Sequence, residues 1–326
     1  MFDLLRSGFV RRPIDAVVPE AGPRSDEIVW LPSGGPFQYF ADPFPLTRDG
    51  LVTVFVEAFD YRTRRGEIRY FQYDDDDVLV AEGEALSEPW HLSYPQIIED
   101  GGELYMLPEG HKSGGLFLYR CLRFPDQWER VTRLRDLPAI DATVARHADR
   151  WWMFHALPGP DDRAMRELHV AWSEALTGPW TAHAANPVMT GFPHSRPGGT
   201  ALAIDGCVVL PVQDCGEAYG VAISLLRIQT LTPDDFQADI VGRIEPGGRL
   251  SGFDDGLHTL SGHGEVTCID VKSIRRSPHE GWVRAEYKLR RLLSLNGPGR
   301  ACGPSHRWRS STHPSVRNLA AGTARP

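Results

Sequence analysis

Short apolar runs, each entered through polar residues and closed by a turn, recur along the chain. The clearest is the stretch from His91 to Gly110. It predicts two strands, Pro95 to Ile98 and Glu103 to Leu107, joined at Asp100-Gly101-Gly102, where glycines suit the positive φ of a tight hairpin. His91, Ser93 and Tyr94 stand before the first strand and Glu109 after the second, so the hairpin carries its chemistry at one rim.

The same arrangement is written five times. Asp42-Pro43-Phe44 precedes Asp49-Gly50 and a strand that ends at Glu57. Asp141-Ala142-Thr143 precedes Asp149-Arg150 and a strand that ends at His155. Arg196-Pro197-Gly198-Gly199 leads through Asp205-Gly206 to Gln213-Asp214, and Leu257-His258 leads through Gly262 to Gly264 to a strand ending near Asp270. A period of about 50 to 60 residues exceeds one hairpin and leaves room for a second, which makes a four-stranded antiparallel blade. The expected fold is therefore all-β, a five-bladed β-propeller over residues 25–293, with 1–24 as a leader or strap and 294–326 as a disordered tail rich in Gly, Pro, Ser and Arg. Blade one is expected to begin at Ile28, and blade five to span Phe236 to Leu293.

Composition narrows the picture. With 326 residues, 41% hydrophobic, the chain can bury a sizeable core, and 32 Gly with 26 Pro suit a protein of many turns. A net charge of −8 argues against nucleic acid as a partner, which would require clustered Lys and Arg. No run of 18 apolar residues predicts a membrane span, and the first residues lack the apolar centre of a secretory signal, so the cytoplasm is the expected compartment. The five cysteines, Cys121, Cys207, Cys215, Cys268 and Cys302, contain no Cys-x-x-Cys pair and read as small buried hydrophobes. Asp74 to Asp77 lack the spacing of a calcium loop and read as a solvated turn, while Trp180 reads as core packing.

Several runs together resemble one family. Phe40-Ala41-Asp42-Pro43-Phe44, His91-Leu92-Ser93-Tyr94-Pro95, Tyr105-Met106-Leu107-Pro108-Glu109, Leu118-Tyr119-Arg120, Gly178-Pro179-Trp180, Asn186-Pro187, Gln213-Asp214-Cys215 and Tyr219-Gly220 are similar to the N-terminal domain family of plant glucosamine inositolphosphorylceramide transferase and its bacterial relatives. Phe124-Pro125 with Trp128, and Trp151-Trp152 with Phe154, extend the likeness across residues 28–290. That family resembles in turn the five-bladed propellers of glycoside hydrolase family 43.

The second resemblance implies a sugar pocket at one end of the channel. It implies an Asp base on blade one, an orienting Asp on blade three and a Glu acid on blade four. Asp42 and Asp141 match the first two by blade and position. The third place holds Arg196-Pro197-Gly198, and a guanidinium cannot protonate a leaving group. Glu109 is the expected substitute acid, because converging carboxylates raise one another's pKa and can keep one protonated. Glu57, His91, Tyr94, Arg196, Gln213, Asp214 and His258 are expected to bind the saccharide. The resemblance also suggests calcium near His258, but one histidine without a ligand cluster argues against a required metal, and no cofactor is expected.

The leading expectation is glycosidase-like hydrolysis or transfer of a glycosyl group. The alternative is a noncatalytic glycan-binding module that accompanies a glycosyltransferase or another polysaccharide-assembly enzyme. A purely structural scaffold would not need so many polar residues at one rim.

Overall fold

In the computed structural model, residues 2–275 are described apart from 36, 248–249 and 251–253, together with 281–282, 285–286 and 288–289. The repeated turns close hairpins as their chemistry requires. Gly101 (φ 60°) and Gly102 (φ 82°) join Ser93–Asp100 to Glu103–Glu109, a conformation that residues with a Cβ adopt only at a cost.

Five antiparallel sheets follow. Blade one runs from its inner strand Gln38–Arg48 through Leu51–Asp60 and Arg65–Tyr73 to Leu79–Leu86. Blade two runs from Ser93–Asp100 through Glu103–Glu109 and Leu116–Arg123 to Gln127–Arg135. Blade three comprises Ile140–His147, Arg150–Ala156, Glu167–Ser173 and Thr181–Ala182, with Met189–Thr190 also paired to its third strand. In blade four the inner position is shared by Arg196–Pro197 and Leu202–Ile204, both paired with Cys207–Asp214, and Ala222–Leu231 and Phe236–Ile244 complete the sheet. Blade five orders Gly256–His263, Val266–Arg275, Phe2–Val10 and Val29–Trp30.

That last sheet revises three expectations. Residues 1–24 do not form a leader outside the propeller, because Phe2–Val10 pairs along its length with Val266–Arg275 and closes the ring. Ile28 belongs with blade five rather than blade one, since Val29 pairs with Phe9. Phe236–Ile244 is the outer strand of blade four and not the start of blade five. The boundaries slipped because a strand's hydrophobic pattern names its faces but not its partner. The expected tail over 294–326 lies outside the described residues.

The second strand of each blade is apolar at successive positions because both its faces are buried. Val54 and Val56 point towards Phe9, Val266 and Cys268 of blade five, whereas Phe55 between them points towards Leu92, Met106 and Tyr119 of blade two. Trp151 and Met153 likewise pack on Leu107 and Leu118, while Trp152 and Phe154 pack on Val208 and Leu210. Each such side chain contributes about 1.5–3 kcal/mol by leaving water. Trp180 joins this core, with its indole N–H donating to Leu176 O at 3.1 Å. Cys215 and Cys268 are buried and Cys121 and Cys207 half-buried, all as free thiols, and Cys302 lies outside the described residues. Asp74 caps its own turn by accepting from Asp76 N and Val78 N, as a solvated turn should. Among the described residues no helix is long and apolar enough to cross a membrane.

Candidate functional site

Polar side chains reach the axis because the inner strands are bulged. Register slips between Ala41 and Phe44, between Ser93 and Gln96, and between Ile140 and Thr143, and each slip leaves one residue at positive φ: Asp42 (49°), Tyr94 (48°) and Asp141 (48°). A bulge turns a side chain out of the strand's alternation, and a left-handed non-glycine residue costs about 1–2 kcal/mol. Blade five has the corresponding slip between Leu257 and Thr259, at His258. The fold spends this strain where the chemistry stands.

Asp42 sits in a closed cluster with blade five. Its Oδ1 accepts from Thr259 Oγ1 at 2.9 Å and its Oδ2 from Tyr94 N at 3.2 Å, while its own N–H donates to Asp270 Oδ2 at 2.9 Å. His258 places Nδ1 2.7 Å from Asp270 Oδ1 and Nε2 3.5 Å from Asp42 Oδ1. Burial would lower the His258 pKa, but the charge and hydrogen bond of Asp270, with Asp42 and Asp141 behind them, raise it to about 9. Burial raises Asp42 in turn, and the Asp270 charge adds to this against the opposing pull of His258.

A second cluster joins blades two, three and four. Arg196 Nε donates to Asp141 Oδ2 at 2.6 Å, and Gln213 Nε2 donates to the same oxygen at 2.8 Å. The Gln213 Oε1 is buried without a protein partner among the described residues. Burial pushes the Asp141 carboxyl up, and the Glu109 and Asp42 charges add to that against Arg196. Glu109 is held the other way. Burial alone would raise it, yet His111 Nδ1 at 2.5 Å, the Asp141 N–H at 3.1 Å and the charge of Arg196 bring it down to about 2.

Glu57 occupies on blade one the place that Glu109 holds on blade two, in register with Ala41 as Glu109 is with Ser93. Its surroundings are opposite. His91 Nε2 stands 3.5 Å from its carboxyl, and His91 Nδ1 is committed to the Gly66 N–H at 2.8 Å. Burial lowers His91 to about 4, so the imidazole is neutral at pH 7 and gives Glu57 no counter-charge. Burial and then the charges of Asp42, Glu109, Asp141 and Asp270 hold Glu57 well above the usual carboxylate range.

Aromatic rings adjoin these groups. Tyr39 stacks on Phe59 at 5.1 Å, Tyr61 meets both edge-on, and Phe59 meets His91 at 5.8 Å. Tyr219 lies under the Arg196 guanidinium and against the His258 ring.

Asp42, Glu57, His91, Glu109, Asp141, Arg196, Gln213 and His258 are thus gathered as the sequence suggested. Two others are not. Tyr94 is fully buried, and its hydroxyl is taken by Thr143 Oγ1 at 2.8 Å, Gly199 O at 3.1 Å and the Gly199 N–H at 2.5 Å, so its polar atom is committed within the protein. Asp214 follows Gln213 in an extended strand and so leaves by the opposite face, where Arg243 of the outer strand binds it at 2.8 Å. The sequence missed Asp270, Thr259, His111, Tyr39 and Tyr219 as site residues. Asp270 was within reach, because it closes the fifth copy of the repeat as Glu57 closes the first.

The structure also supplies acidic neighbours that His258 lacked in the sequence, since ligand atoms of Asp42, His258 and Asp270 lie within 4.8 Å of one another. The set does not fit calcium, which takes six to eight oxygens. Asp270 Oδ1 already accepts from the His258 ring and the Thr259 N–H, Oδ2 accepts from the Asp42 N–H, and a cationic His258 stands where an ion would need a neutral donor.

Comparison with known proteins adds lineage to this geometry. The sequence profile described as glucosamine inositolphosphorylceramide transferase 1, N-terminal, matches residues 16–245. The glucosamine inositolphosphorylceramide transferase 1 of Oryza sativa subsp. indica is 33% identical over 210 residues, which cover 63% of this chain and 28% of that protein. The Arabidopsis thaliana protein of the same name is 32% identical over 209 residues, covering 63% of this chain and 27% of that protein. The chain therefore corresponds to little more than a quarter of these relatives. Among solved structures, a family 117 glycoside hydrolase of Zobellia galactanivorans superposes with a TM-score of 0.53 at 12% identity, over 82% of this chain and 90% of that one. A family 43 β-xylosidase/α-arabinofuranosidase from a compost metagenome, solved with xylotriose, gives a TM-score of 0.51 at 12% identity, over 76% of this chain and 94% of that one. At such identity the likeness is one of fold.

Proposed function

Because this chain belongs to the family of the glucosamine inositolphosphorylceramide transferase 1 N-terminal domain, we propose that its cavity takes a glycosyl group and cleaves or transfers it. In this reading Glu57 is the proton donor, Asp42 the base or nucleophile, and Asp141 the orienting carboxylate. The observation that carries it is the contrast between two equivalent glutamates: Glu109 receives His111 Nδ1 at 2.5 Å and the Asp141 N–H at 3.1 Å, whereas Glu57 has a neutral His91 at 3.5 Å and is held well above the usual range. Titratable groups pushed apart inside one cavity are how a single site holds an acid and an anion at the same pH. Glu109, expected from the sequence to be the acid, is brought low by His111 and the Asp141 N–H and serves instead in this reading as a fixed negative charge that helps keep Glu57 protonated.

Chemically, the Glu57 O–H would pass its proton to the leaving oxygen as the glycosidic bond breaks. A water or an acceptor hydroxyl would add to the sugar carbon and yield its proton to Asp42, whose upward displacement makes it a stronger base than a free carboxylate. The Gln213 Oε1, which lacks a partner among the described residues, is suited to accept from a sugar hydroxyl.

One observation favours the second reading, a noncatalytic glycan-binding module beside a glycosyltransferase. Arg196 stands on blade four, where the resemblance led one to look for an acid, and it is spent on Asp141 at 2.6 Å. Wild type, Asp42→Asn and Glu57→Gln, assayed on aryl glycosides and bacterial polysaccharides for product release and thermal shift, separate the two. Release that falls about 10²–10⁴-fold in both variants is the expected result. Release that survives both substitutions overturns the assignment, and thermal stabilisation by a saccharide without release moves the reading to the binding module.

A further inference from the structure

Where blades one and five meet, on the inner strand that carries Asp42, lies a cleft of about 360 Å³ walled by Arg6, Ser33, Gly34, Gly35, Gln38 and Tyr39, with the buried Ser7 and Phe40 also in its lining. We propose that it is a second saccharide subsite, which holds the sugar unit attached to the one over Asp42 and Glu57. The inference rests on the glycan reading above and specifies it further: the ligand is an oligosaccharide or a glycosylated saccharide and not a single sugar.

Proximity to the central carboxylates comes first. Gln38 and Tyr39 lie on the inner strand that carries Asp42, and three extended residues place Tyr39 about 10 Å from it along the strand. Ser7, in the lining, is the register partner of Asp270. Tyr39 walls the cleft, and burial and then the charges of Glu57, Tyr61, Tyr219 and Asp42 raise its phenol, which places those groups in its neighbourhood. That wall is fixed, because Phe59 stacks on it and Tyr61 abuts it edge-on.

The lining then limits the occupant. A volume of 360 Å³ is near the lower bound of small-molecule sites, about 300–1,000 Å³. Pro32, Leu5 and Phe40 offer apolar surface beside the Ser33 hydroxyl and the Gln38 amide, a mixture that suits a ring with C–H faces and a hydroxyl edge. Gly35 opens on free space, since a Cβ there would meet no atom within 4 Å. Arg6 is the charged side chain among the lining residues and stacks on Trp30 at 4.7 Å, and Asp60, which the Gln38 amide meets at 3.4 Å, is held by Arg62 at 2.6 Å.

Isothermal titration of wild type and Ser33→Trp with xylose through xylotriose, arabinose through arabinotriose, and glucose through cellotriose tests this. Ser33 is exposed on a loop, so the indole fills the cleft without entering the core. In at least one series the trisaccharide should bind wild type tenfold or more tightly than the monosaccharide. Ser33→Trp should abolish that advantage and leave monosaccharide affinity unchanged. Gln38→Leu, which keeps the volume and removes the amide, should reduce the same advantage. A chain-length advantage that survives both variants, or its absence from a wild type that binds monosaccharides, overturns the subsite alone. A wild type that binds no saccharide of any length overturns the central reading and the subsite together.

Discussion

Glu57 and His258 are the two residues whose environments leave the sharpest marks on pH dependence. An acid displaced upward keeps its proton in the folded state while the unfolded chain ionises above about 4.5, so stability falls as pH rises past that value, by about 1.4 kcal/mol per unit of displacement. Glu57→Gln should match wild type at about pH 4 and be the more stable protein at about pH 7, as followed by urea denaturation across pH. A glutamate that served only to bind blades together would give the reverse. His258 has the opposite sign. Its folded pKa of about 9 exceeds the ordinary 6.5, so its contribution is fully present below 6.5 and is lost as pH rises through 9, a change of about 3 kcal/mol. Asp270, Asp42, Asp141 and the Tyr219 ring are the groups that face it. His258→Gln should be less stable than wild type at about pH 6 and should show a flat profile where wild type declines. The residue types at the site were legible in the sequence, because Asp42, Glu57, Glu109, Asp141 and His258 each end or begin a repeated strand. Their roles were not, because what separates Glu57 from Glu109 is that one faces a neutral imidazole and the other receives His111 and a backbone N–H from the next blade.

At the level of strands, the site depends on close approaches that only small residues allow. Gly66 lies between blades one and two, where a Cβ would stand 2.4 Å from Leu92 O and 2.8 Å from Glu57 Oε1. Its N–H also holds His91 in the tautomer that presents Nε2–H to Glu57. Gly66→Ala should cost about 1–3 kcal/mol, read as a lower denaturation midpoint, and should weaken saccharide binding although the residue touches no sugar. Tyr94→Phe separates structure from binding in the other direction. It leaves the Gly199 N–H and the Thr143 hydroxyl short of a partner and should cost about 1–3 kcal/mol, with saccharide affinity unchanged. A large loss of affinity with stability intact would restore the sequence expectation that Tyr94 binds substrate. The hairpins themselves were readable from Gly, Asp and alternation, whereas the bulges were not. No residue type announces a register slip, and it was the slip at Ser93 to Gln96 that turned Tyr94 into the channel.

For the whole molecule, the question a propeller must answer is how a linear chain closes a ring, and here the N-terminal strand answers it. The repeat count of five was plain in the sequence, but the closure was hidden, since Phe2–Val10 stands outside the repeated hairpin motif and its partner lies some 260 residues away. Once paired, it inserts Phe9 into the core shared with blade one, against Val52, Val54 and Phe71, and Val10 into the core shared with blade four. Its Ser7 donates to Phe40 O on the inner strand of blade one, two residues ahead of Asp42. Ring closure and site geometry are therefore coupled through one segment. A chain beginning at residue 25 loses the third strand of blade five, strips one edge of Val266–Arg275 and exposes the faces that met Phe9 and Val10. It also leaves Asp270, at the middle of that newly bared strand, free to shift relative to Asp42 and His258. The truncated chain should lose its sharp thermal transition and elute as aggregate, whereas removal of a leader that only decorated the propeller would leave both the melting curve and the elution volume unchanged. Addition of a peptide of residues 1–24 in trans should restore part of the transition, because the strand would recover its partner at the open edge, and that recovery distinguishes a missing blade strand from a nonspecific loss of solubility.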